Sequence, residues 1–527
     1  MKMNSKILSL YAVVSLSLLV SCANDDTSSD QNQQDVNEKN MTAFVTSDNT
    51  PSTRTTAEYD GSGLNFFWTE GDHLWVDNTT ASPASLQQDT RNNISDILIN
   101  NTSNPAGVKR ASQAKFWFEG TFTANSYNVR YTGKNGTKDK VIIKSQQSQT
   151  VPNDASHIGE DGDCGVATAT KGATDGKYYF TLDHKASYLT FMPYYDSNLD
   201  PTFTPGLASS VKLTKIKVSA DQDIAGTYNF ENTGIDLSSV TSASKEIALT
   251  LSNSFEIPVS ANYSKNGATM VIAPGSYTNF TVEYTLFDQK TSVTLNLKKN
   301  YGNITCSIGK NKKIATKLDI PNYSDTKWAT WDSQHYYWEG HENNQPRVNG
   351  ETRGQIPQNA SDPRWYNSSS SQATNLCANC PNINEMFWYI SNGAAHWDSK
   401  TVWCVWGHLY QGGMWFLKKN NIPAFNSNKW YDGRDYRLIN NAGIYVDMSD
   451  RISTADIPES DRNKYFFLPA TDNMAEDWSP VGIYGNYWTS TPTNGDNTRA
   501  YALLFSQNTL KVLSHPREMG LVIQKFQ

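Results

Sequence analysis

The chain has 527 residues, a formal charge of −7 and a mean hydropathy of −0.58, a length that holds about three domains of ordinary size. The charge is mild and spread out, and no Lys/Arg cluster marks a nucleic-acid partner. Strand-forming aromatics abound, with 27 Tyr, 20 Phe and 15 Trp among many Thr, Ser and Asn, a composition suited to β-structure with polar loops.

The first residues set the compartment. Lys2 and Lys6 form a basic start, and residues 7–20 are an apolar run too short to span a bilayer stably. The run ends in Leu19-Val20-Ser21-Cys22, with a small residue before a cysteine, the pattern a lipoprotein signal peptidase reads. Cys22 is then the acylated residue, and residues 1–21 are the signal peptide. The competing reading is an ordinary secretory peptide with a chance cysteine. No later run reaches the ~20 apolar residues needed to cross a membrane, so the expected anchor is lipid. The acidic Asp25-Asp26 just after Cys22 resemble the surface-export signal of Bacteroidetes lipoproteins, which implies an outer-membrane, cell-surface location. From Ala23-Asn24-Asp25-Asp26 to about Asn40 the chain is too polar to offset its own entropy, and it reads as a disordered tether.

Short strands separated by Gly, Asn, Asp and Pro turns come next. They are expected at residues 64–68, 73–76, 115–118, 127–131, 141–144, 178–182 and 188–192, then 211–218, 245–251, 268–273, 280–287 and 292–297. Many alternate apolar and polar residues, and no substantial helix is expected before residue 320. The loop at 193–209, rich in Pro, Ser and Asp, divides two β-domains, 58–192 and 193–322, behind a leader at 22–57.

Beyond Pro321 the composition shifts. Twelve of the fifteen tryptophans lie in residues 323–527, a third domain. Residues 382–391 read as a short helix, and residues 465–468, 487–489, 500–505, 510–513 and 520–526 as closing strands.

Cys377, Cys380, His396, Cys404 and His408 are five soft ligands, but their spacing matches no zinc site. In an exported protein a disulfide within Cys377, Cys380 and Cys404, or to a distant cysteine, is favoured. Cys164 and Cys306 read as buried small residues. Trp328, Trp331, Trp338 and Trp365, with Tyr336, Tyr337 and Tyr366, are candidate ligand contacts that stack on sugars or anchor a protein, against the alternative of core filling. No phosphate loop, Gly-x-Ser-x-Gly or His-Glu-x-x-His occurs, so no enzyme, cofactor or metal is expected.

Three motifs resemble the fimbrillin superfamily, the pilins of Bacteroidetes type V pili. The first is Arg54-Thr55 followed by Phe67-Trp68-Thr69-Glu70-Gly71-Asp72-His73-Leu74-Trp75-Val76. The second is Phe180-Thr181-Leu182-Asp183-His184-Lys185-Ala186-Ser187-Tyr188-Leu189-Thr190-Phe191, and the third is Leu213-Thr214-Lys215-Ile216-Lys217-Val218 running to Ile224-Ala225-Gly226-Thr227-Tyr228. The resemblance implies a mainly β chain with two tandem, transthyretin-like β-sandwich pilin domains. It also implies a lipidated precursor cut after an arginine by a trypsin-like protease. Loss of the leading strand then opens a groove that a strand from a neighbouring pilin subunit fills, a form of β-augmentation. Arg54 is the one arginine between Cys22 and Arg91, so the cut falls between Arg54 and Thr55 and Met41–Thr46 is the removable strand. The alternative is that Arg54 is a plain solvated loop residue.

The third domain resembles the C-type-lectin-like domains of Bacteroidetes surface proteins, a mixed α+β fold. The resemblance rests on Phe467-Leu468-Pro469-Ala470, Tyr484-Gly485-Asn486-Tyr487-Trp488-Thr489-Ser490-Thr491, Ala500-Tyr501-Ala502-Leu503-Leu504-Phe505 and Arg517-Glu518-Met519-Gly520-Leu521-Val522-Ile523. It implies a fimbrium tip subunit that adheres to a host or bacterial surface ligand, glycan or protein. The sequence stops at Gln527, directly after the expected last core strand, which fits a subunit that accepts a strand and donates none. The same fold occurs in formylglycine-generating enzymes, but Cys404 has no local sign of an activated thiol. Gln345-Pro346-Arg347 puts a cation where a calcium ligand belongs. The alternative function is a permanently lipid-anchored glycan-binding surface protein.

Overall fold

The computed structural model describes residues 40–47, 56–100, 109–197, 206–341, 355–439, 443–472 and 481–527. They are mainly β. Among them, the α-helices before residue 320 are single turns of 4 residues, and one helix of 10 residues, Ile383–Asn392, lies beyond it. No described helix is long and apolar enough to cross a membrane.

The first core is enclosed by one curled sheet. Its strands run in space as Ser85–Gln88, Trp75–Asn78, Ser126–Tyr131, Gly165–Lys171, Tyr178–Phe180, Met41–Thr46 (β1), Lys115–Glu119 and Arg91–Asn92. Period-2 alternation decides which side chains face inward. Lys115–Glu119 buries Phe116 and Phe118, and Ser126–Tyr131 buries Tyr127, Val129 and Tyr131. The curl shows in the aromatic contacts. Phe44 of β1 meets Tyr127, which lies three strands away in the sheet order, with ring centroids 6.3 Å apart.

The second core lies between a five-stranded sheet centred on Val211–Ser219 and a three-stranded sheet centred on Ser187–Tyr194. Here the expected division at 193–209 does not match the packing. Lys140–Ile143, Gln146–Gln149 and Ser187–Tyr194 all begin before that loop, yet they pair with strands beyond it. The hairpin Thr56–Tyr59 with Leu64–Phe67 also packs there, through Ala57 and Phe66. Ser187–Tyr194 is buried on both faces along nearly its whole length, which only an interior position can accommodate. A loop's composition marks a turn but does not choose the partners of the strands beside it.

In the C-terminal part, a six-stranded sheet holds Gly485–Pro492, Arg499–Ser506 and Thr509–Pro516, and a three-stranded sheet holds His396–Val405, His408–Leu417 and Tyr465–Pro469. The helix begins at a capping box: the Asn382 side chain accepts from the Asn384 and Glu385 backbone N–H groups, and Glu385 accepts from the Asn382 N–H. Only Leu521–Val522 of the expected 520–526 strand is paired as a named strand.

The C-terminal part is seamed onto the second core. Val402, Cys404 and Leu409 belong to that core, and Ala208 N–H donates to the Gly407 carbonyl at 2.8 Å. Buried Asp288, at the end of strand Thr281–Asp288, bonds His408 Nδ1 at 3.0 Å and accepts from the Leu409 N–H at 3.1 Å and the Ser210 hydroxyl at 2.9 Å. Burial alone would raise this carboxyl. The hydrogen bonds from His408, the Lys290 and Leu409 backbone and Ser210 outweigh it and hold the pKa at about 2.

A carboxyl lowered from the ordinary ~4 contributes stability that is complete above about pH 4 and lost as pH falls through about 2. Asp288→Asn is therefore expected to loosen the seam at neutral pH and to flatten the acid limb between about pH 4 and pH 2. Limited proteolysis near residues 206–210, measured against pH, checks both effects.

Candidate functional site

β1 is an interior strand of the first sheet. It runs antiparallel to Lys115–Glu119, pairing Met41 with Glu119 and Val45 with Lys115, and parallel to Tyr178–Phe180, pairing Phe44 with Tyr178. Thr46 N–H donates to the Ala114 carbonyl at 3.1 Å, Ser47 N–H to the Phe180 carbonyl at 2.8 Å, and Gly120 N–H to the Asn40 carbonyl at 3.1 Å. Among the described residues, Lys115–Glu119 and Tyr178–Phe180 are joined in this sheet through β1 alone. Taking β1 out splits the sheet and bares two strand edges, an arrangement that recruits another strand.

The side chains deepen the slot. Phe44 is fully buried, stacked on Tyr178 at 4.8 Å and edge-on to Phe118 at 5.0 Å and Phe122 at 5.3 Å. The pocket walls are tied to the backbone. Tyr178 hydroxyl donates to the Ala124 carbonyl at 2.6 Å, and Ala124 N–H donates to the Tyr127 hydroxyl at 2.9 Å. Two residues on, Thr46 is buried, and its hydroxyl accepts from the Ala114 N–H at 3.0 Å. Met41, Ala43 and Val45, on the other face, are half-buried.

β1 also stands apart from the next strand in sequence. The chain is described again from Thr56–Tyr59, in a hairpin that packs into the second core, where Ala57 bridges Ala155. One strand of residues 40–60 thus serves the first core and the next serves the second. Cys22, Arg54 and Thr55, the expected lipidation and processing residues, lie outside the described residues.

The disulfide expectation needs correction, and the tryptophans divide between the two readings open to them. Cys377, Cys380 and Cys404 are unbridged. Cys377 and Cys380 share a small core with Trp331 and Trp488, whereas Cys404 belongs to the second β-core. His396 faces the Ala455 carbonyl and His408 faces Asp288, so the five soft ligands are dispersed. Among the described residues no three His, Cys, Asp or Glu side chains are grouped to hold a metal. Trp328, Trp331 and Trp338 are buried, not exposed contacts. The Trp328 indole N–H donates to the Asp472 carbonyl and that of Trp331 to the Thr489 carbonyl, because a bulky ring with one polar handle fills a β-rich core once that handle is satisfied. Of the four tryptophans expected at a ligand, Trp365 alone is part-exposed, packed at 5.0 Å against Tyr366.

Comparison with known proteins finds likeness in solved structures at low identity. Its neighbours are fimbrial and adhesion-type proteins of Bacteroides and Parabacteroides. A protein from Bacteroides ovatus, provisionally described as a cell adhesion protein, is 12% identical, with 52% of this chain and 91% of that one covered and a TM-score of 0.28. A fimbrial assembly protein from Parabacteroides distasonis is also 12% identical, with 53% and 91% covered and a TM-score of 0.27. A fimbrial protein from Bacteroides ovatus is 10% identical over 91% of this chain and 98% of its own, with a TM-score of 0.24. No family model matches the chain, and no curated protein matches it. Scores this low carry no functional weight, so function must be read from the chain's own geometry.

The residues that shape the slot, Phe118, Phe122, Tyr127, Tyr178 and Ala114, carry no motif. Their signal is the alternation around 115–119 and 126–131, which says that they are buried but not what they enclose.

Proposed function

We propose that this chain is a structural and adhesive subunit of a surface fimbrium, not an enzyme. Its precursor is lipidated at Cys22, held at the outer membrane and cut after Arg54. It then releases β1 and receives a strand from a neighbouring pilin subunit in the emptied slot. The observation that carries this proposal is that the six residues of β1 form, among the described residues, the only connection between two halves of the first sheet, with Phe44 plugging the core from that strand. A strand so placed leaves both a hydrogen-bonding gap and an apolar hole when it departs.

In this function the C-terminal part is a C-type-lectin-like adhesion module at the fimbrium tip, carried on the seam at Asp288 and His408. Residues 521–527 are held in its own core: Leu521 and Val522 are paired, Phe526 is buried, and the Gln527 carbonyl accepts from the Tyr389 hydroxyl at 2.9 Å. That segment is not a donor. The non-catalytic assignment is supported by Cys404, whose thiol burial pushes up to about 12, the opposite of an activated thiolate.

Arg54→Ala is expected to leave the protein lipidated and absent from assembled fimbriae. Normal incorporation of the variant overturns the cleavage step. N-terminal sequencing of surface-shed protein separates the alternatives: a start at Thr55 supports the fimbrium, and retained acylated Cys22 supports a permanently anchored glycan-binding protein.

A further inference from the structure

The β1 slot is not a uniform groove. One position takes a whole aromatic ring, enclosed by Phe118, Phe122, Tyr127 and Tyr178 at centroid distances from 4.8 to 6.3 Å. Two of these walls are fixed independently of the occupant. Tyr178 is tied to the Phe122 and Ala124 carbonyls, and Tyr127 to Thr80 and Ala124. Hydroxyls occupied in this way are satisfied by the Phe122 and Ala124 backbone and the Thr80 hydroxyl, which leaves the pocket itself apolar and resists its collapse onto a smaller side chain. Two residues further, the buried Ala114 presents a backbone N–H that the strand's own ladder does not satisfy, and the Thr46 hydroxyl satisfies it. An occupant with no acceptor there leaves that N–H orphaned. The half-buried outer positions, Met41, Ala43 and Val45, impose no such demand. Direction is set as well, parallel to Tyr178–Phe180 and antiparallel to Lys115–Glu119.

Building on the strand-exchange function proposed above, we infer that the slot selects its incoming strand by two positions: an apolar aromatic ring and, two residues later, a side chain that accepts a hydrogen bond. The partner is thus a pilin subunit whose donated segment reproduces the pattern of Phe44-Val45-Thr46, and pilins whose segment carries a small residue at the ring position are rejected.

The test uses the full chain with a specific protease site inserted between residues 48 and 55. It is made both with the wild-type resident strand and with a resident strand carrying Phe44→Ala, so that β1 leaves readily after the cut. Labelled peptides with the sequence of residues 40–47 are then offered to the cut protein. The wild-type peptide is expected to enter the slot. Phe44→Ala in the peptide is expected to weaken binding about 100-fold or more, Thr46→Val about tenfold, and Val45→Ala less than about threefold. Equal binding of all four peptides overturns the two-position selection while strand exchange stands. Failure of the wild-type peptide to enter either cut protein overturns strand exchange itself.

Discussion

Replacing Phe44 by alanine is expected to cost the first core about 3–5 kcal/mol. The ring is fully buried among four other aromatic rings, and two of its neighbours are pinned by hydrogen bonds to the backbone, so the hole cannot close cheaply. The effect should be local. Backbone amides of Lys115–Glu119 and Tyr178–Phe180 should lose protection against hydrogen exchange, while those of Val211–Ser219 in the second core keep theirs. Val45→Ala, on the half-buried outer face, is expected to cost less than about 1 kcal/mol. Unchanged protection in the Phe44 variant would mean that β1 is held by its backbone pairing without the ring, and the role given to the ring in holding the slot closed would be lost.

The second large effect is expected at Arg517, a fully buried arginine in the C-terminal part. Its guanidinium lies 4.0 Å from the Trp331 ring, donates from Nη1 to the Asn367 and Ser369 carbonyls at 2.6 and 2.8 Å, and from Nε to the Arg499 carbonyl at 2.8 Å. Arg517→Ala removes three charge-assisted hydrogen bonds and leaves a void under Trp331, at a cost of roughly 3–5 kcal/mol. Arg517→Lys keeps the charge but not the planar fork that reaches several carbonyls at once, so it is expected to rescue the fold only in part. Because Asn367 and Ser369 follow Tyr366 within three residues, the same change should displace the part-exposed pair Trp365 and Tyr366. Thermal unfolding gives the stability term, and quenching of Trp365 fluorescence, against a Trp365→Phe control, gives the displacement. A Lys variant as unstable as the Ala variant would show that the fork geometry carries the whole effect.

How much of this was legible differs from residue to residue. The alternation of Lys115–Glu119 and Ser126–Tyr131 announces half-buried strands, and the apolar face from Glu385 to Ile390 announces a helix, because each signal is local: one residue's environment depends on neighbours two to four positions away. Met41–Thr46 was expected as a strand only through the family resemblance, and its partners begin some seventy and more than a hundred and thirty residues later, where no local pattern names them. The tryptophans stayed open between ligand contact and core filling for a related reason. A side chain with one polar atom is equally at home at a surface or in a core, and the deciding carbonyls, those of Asp472 and Thr489, lie far along the chain.

Sequence alone determined the class of structure, its rhythm of strands and turns, and the two landmarks Cys22 and Arg54 on which export and processing are expected to act. Tertiary structure alone decided that residues 140–149 and 187–194 complete the second core, that three conspicuous cysteines are unbridged and divided between two cores, and that the leading strand is an interior one. The physical reason is that strand pairing joins backbone groups, which are alike at every residue. The choice among possible partners is made by how whole faces pack together, and that information is held by the assembled sheet and not by any single segment.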